Sequence, residues 1–113
     1  MSPATIDPEV FAALQNDAGA EFVRELVQTF LEEAPLMLKE LRQALADGDA
    51  DGFRRAAHSL KSNGLTFGAT RLGALARELE LGGLAQGQQP GAVEALEAEY
   101  ARAAAALPEL AGG

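Results

Sequence analysis

Apolar residues recur at steps of three and four positions through most of the chain, and this spacing restricts the possible folds more than any other feature. Such a period places apolar side chains on one face of an α-helix, whereas a strand would need alternation at every second residue. The longest segment covers about residues 20–46, and its stripe is Phe22, Leu26, Phe30, Ala34, Met37, Leu41 and Leu45. The stripe keeps its phase across Pro35, so we predict one kinked helix there rather than two.

Four further helices are predicted from the same period and from turn residues. Three of them cover about residues 7–15, 50–67 and 70–81, and the last follows a Gly-, Gln- and Pro-rich loop at 82–91 and carries the stripe Val93, Leu96, Tyr100, Ala103 and Leu107. Short connections make successive helices antiparallel. The predicted fold class is therefore all-α: an antiparallel up-down four-helix bundle with an additional short N-terminal helix. We expect a single domain over residues 1–113, with its core at about 7–110.

The composition argues against several classes of function. The chain has 113 residues, no cysteine, one histidine and a formal charge of −8. Disulfides and cysteine nucleophiles are therefore excluded, and no metal site is expected because one histidine supplies too few nitrogen or sulfur ligands. The negative charge argues against nucleic acid or a membrane surface as a partner. With no bilayer-length apolar run and no secretory signal, we expect a cytoplasmic protein, and a monomer because the apolar stripes pair within the bundle.

The single histidine, His58, lies on the predicted third helix. At about 100° per residue, and with Leu60 at the centre of the buried face, the apolar neighbours fall within roughly 60° of that centre. These neighbours are Phe53, Ala56, Ala57, Gly64 and Phe67. His58 falls about 160° from the centre, so its imidazole should face water. Its exposed face also carries Arg54, Arg55, Ser62 and Leu65, with Lys61 at the flank.

Three cations are helical neighbours of His58. Arg54 and Arg55 lie four and three residues before it, and Lys61 lies three residues after it. No carboxylate occupies these neighbouring positions, and the acidic pair Glu78 and Glu80 is expected to be solvated surface. An unprotonated imidazole is a nucleophile near neutral pH. A phosphoryl group on it would bring up to two negative charges, which the three cations would offset.

The segment AAHSLKSNGLTFGATRLGALARELE resembles the signature of histidine phosphotransfer domains. Members typically carry His, any residue, Leu, Lys and a small residue, then a Gly-Ala pair and a leucine-patterned helix that ends in Leu-Glu. The corresponding residues here are His58, Leu60, Lys61, Ser62, Gly68, Ala69, Leu72, Leu75, Leu79 and Glu80. Many members have glycine where Ser62 stands, but serine is still small. The resemblance extends over about residues 7–81.

This resemblance implies that His58 accepts a phosphoryl group from the aspartyl phosphate of a response-regulator receiver domain and passes it to another receiver. Lys61 lies in the motif and is expected to support the charge of the phosphoryl group. From their place on the exposed face of the helix, Arg54, Arg55, Ser62 and Leu65 are expected to bind the partner. No cofactor is expected on this chain, because the family's Mg²⁺ belongs to the receiver. A hybrid histidine kinase is a further candidate partner. No autonomous kinase activity is expected, since the chain has no nucleotide-binding loop.

Two alternatives remain open at this point. The first is the phosphorylatable domain of a chemotaxis-type histidine kinase, in which a separate catalytic domain would phosphorylate the histidine with ATP. The second is a helical adaptor that never carries phosphate, because helical bundles serve many functions. The adaptor alternative predicts that replacing His58 leaves function intact.

Overall fold

The computed structural model describes residues 5–112, so residues 1–4 and 113 of the predicted domain lie outside the described residues. The described residues form five helices: α1 (Pro8–Ala18), α2 (Ala20–Asp47), α3 (Ala50–Thr66), α4 (Thr70–Gly87) and α5 (Ala92–Leu110). Helices α2 to α5 pack in cyclic order, α2 on α3, α3 on α4, α4 on α5 and α5 on α2, while α1 packs on α2 and α3. No strand occurs between residues 5 and 112. The predicted all-α bundle with an extra N-terminal helix is confirmed.

Local side-chain and backbone chemistry fixes where the helices begin and end. Asp7 is the N-cap of α1, and its carboxylate accepts a hydrogen bond from the backbone N–H of Glu9 at 3.0 Å. Asp49 caps α3 in the same way, accepting from the N–H of Gly52 at 3.0 Å. Between α2 and α3, Gly48 adopts the left-handed conformation with φ 69°, which glycine takes without steric cost. These caps produce the short connections that keep the helices side by side.

Helix α2 is continuous through Pro35, but its buried face differs from the predicted stripe. The buried residues are Val23, Val27, Phe30, Ala34, Leu38, Leu41 and Ala44. Phe22 was predicted to be buried and is instead 51% exposed, and Leu26, Met37 and Leu45 are only partly buried. The prediction chose the larger apolar residues at the edge of the face. The buried face of α2 is set by its packing on α1, α3 and α5, and its centre includes smaller residues such as Val23 and Ala44.

Helix α4 extends past its predicted end at Leu81, and the predicted loop over 82–91 is therefore too long. Gly83 interrupts the helical geometry with φ 66° and ψ −153°, and a further helical turn follows it. Gly87 in this turn is packed so closely that a Cβ would lie 2.5 Å from Cζ of Phe53, which is fully buried. The tertiary contact holds a glycine-rich segment in a helical turn that its composition alone disfavours.

Two glycines allow α3 and α4 to approach closely as an antiparallel pair. A Cβ on Gly64 would lie 3.3 Å from Cδ2 of Leu72, and a Cβ on Gly73 would lie 2.5 Å from Cδ2 of Leu65. The tight turn between the helices contains Ala69. In each contact, the residue of α3 lies about as many positions before Ala69 as its partner in α4 lies after it. This register determines which residues of α4 face the exposed side of α3.

Helix α1 is fastened to the turn between α3 and α4. The backbone N–H of Asp7 donates a 2.8 Å hydrogen bond to the carbonyl oxygen of Gly68. Gly68 has φ 83°, and a Cβ at this position would lie 2.9 Å from the backbone oxygen of Asp7. The turn therefore requires glycine both for its backbone conformation and for the close approach of α1.

Candidate functional site

His58 lies on the exposed face of α3. Its side chain is 58% exposed. On the opposite face, Phe53, Ala57 and Leu60 are fully buried in the core. The core residues therefore anchor α3 and hold the imidazole toward solvent, on the side that the helical spacing predicted.

The nearest charged group to the imidazole is Glu80 of α4, which the sequence analysis had expected to be solvated surface. Nδ1 of His58 lies 2.7 Å from Oε2 of Glu80. The other oxygen, Oε1, lies 2.8 Å from Nζ of Lys61. The Glu80 side chain is only 16% exposed, and that of Lys61 is 23% exposed. The expectation of a solvated Glu80 was therefore wrong, because a carboxylate from the neighbouring helix bridges two residues of α3.

The carboxylate of Glu80 is held in its ionised form. Its pKa is lowered chiefly by the hydrogen bond from Lys61 and also by His58, while burial opposes this shift. An ionised carboxylate only accepts hydrogen bonds, so Nδ1 of His58 must carry a proton and donate a hydrogen bond to Oε2 of Glu80. In the neutral ring the lone pair is then on Nε2. The three cations on α3 are therefore not the only charges beside His58, and the site has mixed charge.

The two predicted arginines have different surroundings. Arg54 forms an ion pair with Asp51 at 3.2 Å, and both side chains are well exposed. Arg55 is also exposed, and it forms no ion pair with any residue in the part of the chain that the structure describes. Both arginines line an open cavity of about 290 Å³ with His58, Ser59 and Glu80. The structure therefore brings His58 and both arginines together around one cavity.

The other two predicted partner contacts, Ser62 and Leu65, lie one and two helical turns beyond His58 on α3. Ser62 is exposed, and its small side chain leaves the approach to this part of the helix open. Leu65 is 46% exposed and lies over Gly73 of α4. Neither residue lines the cavity beside His58. They extend the exposed surface along the helix, beyond the cavity that holds the imidazole.

Two residues beside His58 were not predicted to lie there: Glu80, which appeared only as the end of the family motif and as solvated surface, and Ser59. The helical-neighbour argument for His58 considered only residues of α3, whereas Glu80 comes from α4. A usable indication was present, because His58 and Glu80 lie the same number of residues before and after Ala69 in the turn. Antiparallel helices joined at that turn bring such positions opposite each other. Ser59 lies on the flank of α3 next to His58, and it has no comparable indication in the sequence.

The described residues contain neither a cluster of metal ligands nor a membrane-spanning helix. Across residues 5–112, no three His, Asp or Glu side chains are grouped closely enough to hold a metal ion. No helix in the same range has both the length and the apolar character needed to cross a bilayer.

Comparison with known proteins connects this site to a family. The Hpt domain family profile matches residues 25–109. The crystal structure of histidine-containing phosphotransfer protein B (HptB) from Pseudomonas aeruginosa PAO1 is similar, with a TM-score of 0.84 and 30% sequence identity over 98% of this chain and 97% of that chain. No curated protein matched the chain. Because the profile spans most of the chain and includes the helical pair that carries His58, this protein belongs to the histidine phosphotransfer (Hpt) domain family, whose members act in phosphorelays.

Proposed function

We propose that this protein relays a phosphoryl group between response-regulator receiver domains, with His58 as the residue that carries it. The observation that supports this most directly is the hydrogen bond of 2.7 Å between Nδ1 of His58 and Oε2 of Glu80. This bond occupies Nδ1 and leaves Nε2 as the free nucleophile. Since the His58 side chain is 58% exposed, a protein partner can bring an aspartyl phosphate directly to Nε2.

The transfer step follows from this geometry. The Nε2 lone pair attacks the phosphorus atom of the aspartyl phosphate, an N–P bond forms, and the P–O bond to the aspartate breaks, releasing its carboxylate. The imidazole keeps its Nδ1 proton and becomes cationic, and the carboxylate of Glu80 stabilises that charge. In the second transfer, a carboxylate oxygen of another receiver attacks the phosphorus and the N–P bond breaks. The ring then returns to its neutral form.

In this proposal the receiver supplies Mg²⁺ and most of the groups that stabilise the transferring phosphoryl group. Phosphoryl transfer depends mainly on positioning and charge neutralisation, so a carrier needs little more than a well-placed nucleophile. The absence of a nucleotide-binding loop in the sequence agrees with a carrier that does not phosphorylate itself.

Lys61 has a more indirect role than the sequence suggested. Its ammonium group lies 2.8 Å from Oε1 of Glu80 and therefore keeps Glu80 ionised and in place. We assign Lys61 to support the phosphoryl charge through this ion pair. The mechanism thus depends on a chain of contacts from Lys61 to Glu80 and from Glu80 to the imidazole.

The partner is proposed to dock along the exposed face of α3. Leu65 offers an apolar contact, Ser62 leaves space between it and His58, and Arg54 and Arg55 provide positive charge at the other end. Interfaces commonly combine an apolar contact with surrounding polar and charged groups. Receiver domains fit this surface as partners, and a hybrid histidine kinase is the candidate that would present the donor receiver.

The test is phosphotransfer from a panel of phosphorylated receiver domains to the wild-type protein and to His58→Gln. We expect the wild type to acquire an acid-labile, base-stable label and the variant to acquire none. Circular dichroism of both proteins controls for folding. If no receiver transfers label to the folded wild type, the carrier proposal fails and the adaptor alternative is favoured. If label appears only with ATP and a separate histidine-kinase catalytic domain, the chemotaxis-type alternative is favoured.

A further inference from the structure

The carrier proposal leaves open which side chain binds the oxygens of the phosphoryl group on His58. Of the cations near the imidazole, Lys61 lies 2.8 Å from Glu80 and Arg54 lies 3.2 Å from Asp51. Arg55 forms no ion pair with any other residue between 5 and 112. Its guanidinium is therefore the cation in this group whose hydrogen-bonding capacity is not already committed to a carboxylate.

The orientation of the imidazole directs Nε2 toward the flank of α3 that carries Arg55. Nδ1 points at Glu80 and hence toward α4. The two nitrogens of an imidazole point in divergent directions, so Nε2 faces away from α4. The flank of α3 on that side carries Arg55 and Ser59, because both line a groove of about 300 Å³ with residues of α2. A phosphoryl group on Nε2 would thus project toward Arg55, away from Nδ1 and its contact with Glu80.

The space beside His58 is large enough for this group. Arg55 and Ser59 share a cavity of about 290 Å³ with the imidazole, and Arg54 and Glu80 complete its lining. One water molecule in the liquid takes about 30 Å³, so the cavity holds a phosphoryl group with its hydrating water. A guanidinium with several N–H donors suits the oxygens of such a group better than any neutral side chain.

We propose that Arg55 binds the phosphoryl oxygens of phosphorylated His58, assisted by the hydroxyl of Ser59. This inference rests on the carrier function proposed above and assigns it a phosphate-binding residue. Arg54 lines the cavity but not the groove toward α2, and because its guanidinium pairs with Asp51 we assign it no direct part in this binding.

A competing role for Arg55 is to stabilise the fold by offsetting the charge of nearby acidic residues. The groove that Arg55 lines toward α2 also contains Glu40, Asp47 and Asp49, yet none of their carboxylates lies within ion-pair distance of it. If Arg55 served these residues instead, its loss would change stability and leave the phosphoryl group unaffected. The two roles can therefore be separated by a measurement on the phosphoryl group itself.

The experiment uses phosphoramidate, which needs no receiver: Nε2 attacks its phosphorus, the N–P bond of the reagent breaks, and ammonia leaves. The second ionisation of the phosphoryl group on His58 is then followed by ³¹P NMR as a function of pH. The variants are Arg55→Gln, the matched control Arg54→Gln, and Arg55→Lys. A bound guanidinium favours the dianion, so we expect Arg55→Gln to raise the phosphoryl pKa by about half a unit or more, about threefold in the ionisation constant. Arg54→Gln should leave it near the wild-type value, and Arg55→Lys should lie between.

The possible failures are distinct. If neither phosphoramidate nor any receiver labels the wild type, the carrier function itself fails. If all variants are labelled and the phosphoryl pKa is the same in the wild type and Arg55→Gln, the assignment of Arg55 is overturned while the carrier function stands. Equal shifts in both glutamine variants would also overturn it, because they would indicate a general positive field. A loss of thermal stability in Arg55→Gln without a ³¹P shift would assign the arginine to the acidic residues of α2.

Discussion

Replacing Glu80 with alanine tests the arrangement that distinguishes this site from an ordinary exposed histidine. The change removes the acceptor that lies 2.7 Å from Nδ1 of His58. A hydrogen bond to a charged group contributes about 1.5–3 kcal/mol, and we take the lower end because the imidazole is 58% exposed to water. The neutral imidazole already donates this bond before transfer, so only its strengthening in the cationic, phosphorylated ring enters the equilibrium constant. A charge-assisted bond is about twice as strong as a neutral one, so we take about half of that energy, about 0.75 kcal/mol. The equilibrium constant for transfer from a receiver to His58 should therefore fall about fourfold.

Two measurements check this prediction. The first is the equilibrium division of label between a phosphorylated receiver and the protein. The second is the ¹⁵N chemical shifts of the imidazole, which report whether Nδ1 or Nε2 carries the proton. Wild type should show the proton on Nδ1, Glu80→Ala should show a mixture, and Glu80→Gln should keep the hydrogen bond but lose part of the effect on the equilibrium. Glu78→Ala, an exposed carboxylate on the same helix, is the matched control. If Glu80→Ala shows the wild-type division of label and the wild-type proton position on the imidazole, the role assigned to Glu80 is refuted.

Three further predictions concern pH, packing and docking. The pKa of Glu80 is lowered in the folded state, so its charge stabilises the fold at pH values above 4.5, its usual pKa. This stability is lost as the pH falls through the lower pKa of the folded state. The difference in unfolding free energy between wild type and Glu80→Gln, measured by denaturation at a series of acid pH values, should therefore shrink. Gly87→Ala would place a Cβ 2.5 Å from the ring of Phe53, so it should destabilise the fold by about 1–3 kcal/mol in thermal or urea unfolding, and wild-type stability would contradict the packing described. Leu65→Ser should weaken binding of a receiver several-fold, measured by calorimetry, without changing labelling by phosphoramidate. Leu36→Ser is its control, since Leu36 is 61% exposed on α2, and equal effects of the two changes would argue against docking along α3.

The amino-acid sequence was sufficient for the helices and for the face on which His58 lies. The three- and four-residue period is a local property, and it predicted the continuity of α2 through Pro35 and the exposure of His58. The helical turn after Gly83 depends on contacts between distant residues, so local composition indicated a loop instead. The exposure of Phe22 has the same cause, because the buried face of α2 is set by the helices around it.

The charged environment of the imidazole was predicted only in part. Arg54, Arg55 and Lys61 are neighbours of His58 on one helix, and the helical period therefore identified them. Glu80 reaches His58 from a different helix, so finding it requires the register of α3 against α4. That register depends on the packing of the two helices and on the turn between them, so the apolar period of a single helix does not predict it.

The hydrogen bond between the N–H of Asp7 and the carbonyl of Gly68 has a consequence for how this protein tolerates change along its chain. Surface loops usually accept inserted or deleted residues. Here, one residue more or less in the turn would rotate α4 by about 100° relative to α3 and carry Glu80 away from the imidazole, roughly three helical turns distant. The start of α1 holds that turn at one length and one shape. The proposed phosphoryl-transfer site is therefore most sensitive to insertions and deletions at a turn that touches none of its side chains, and the short N-terminal helix helps to keep α3 and α4 aligned.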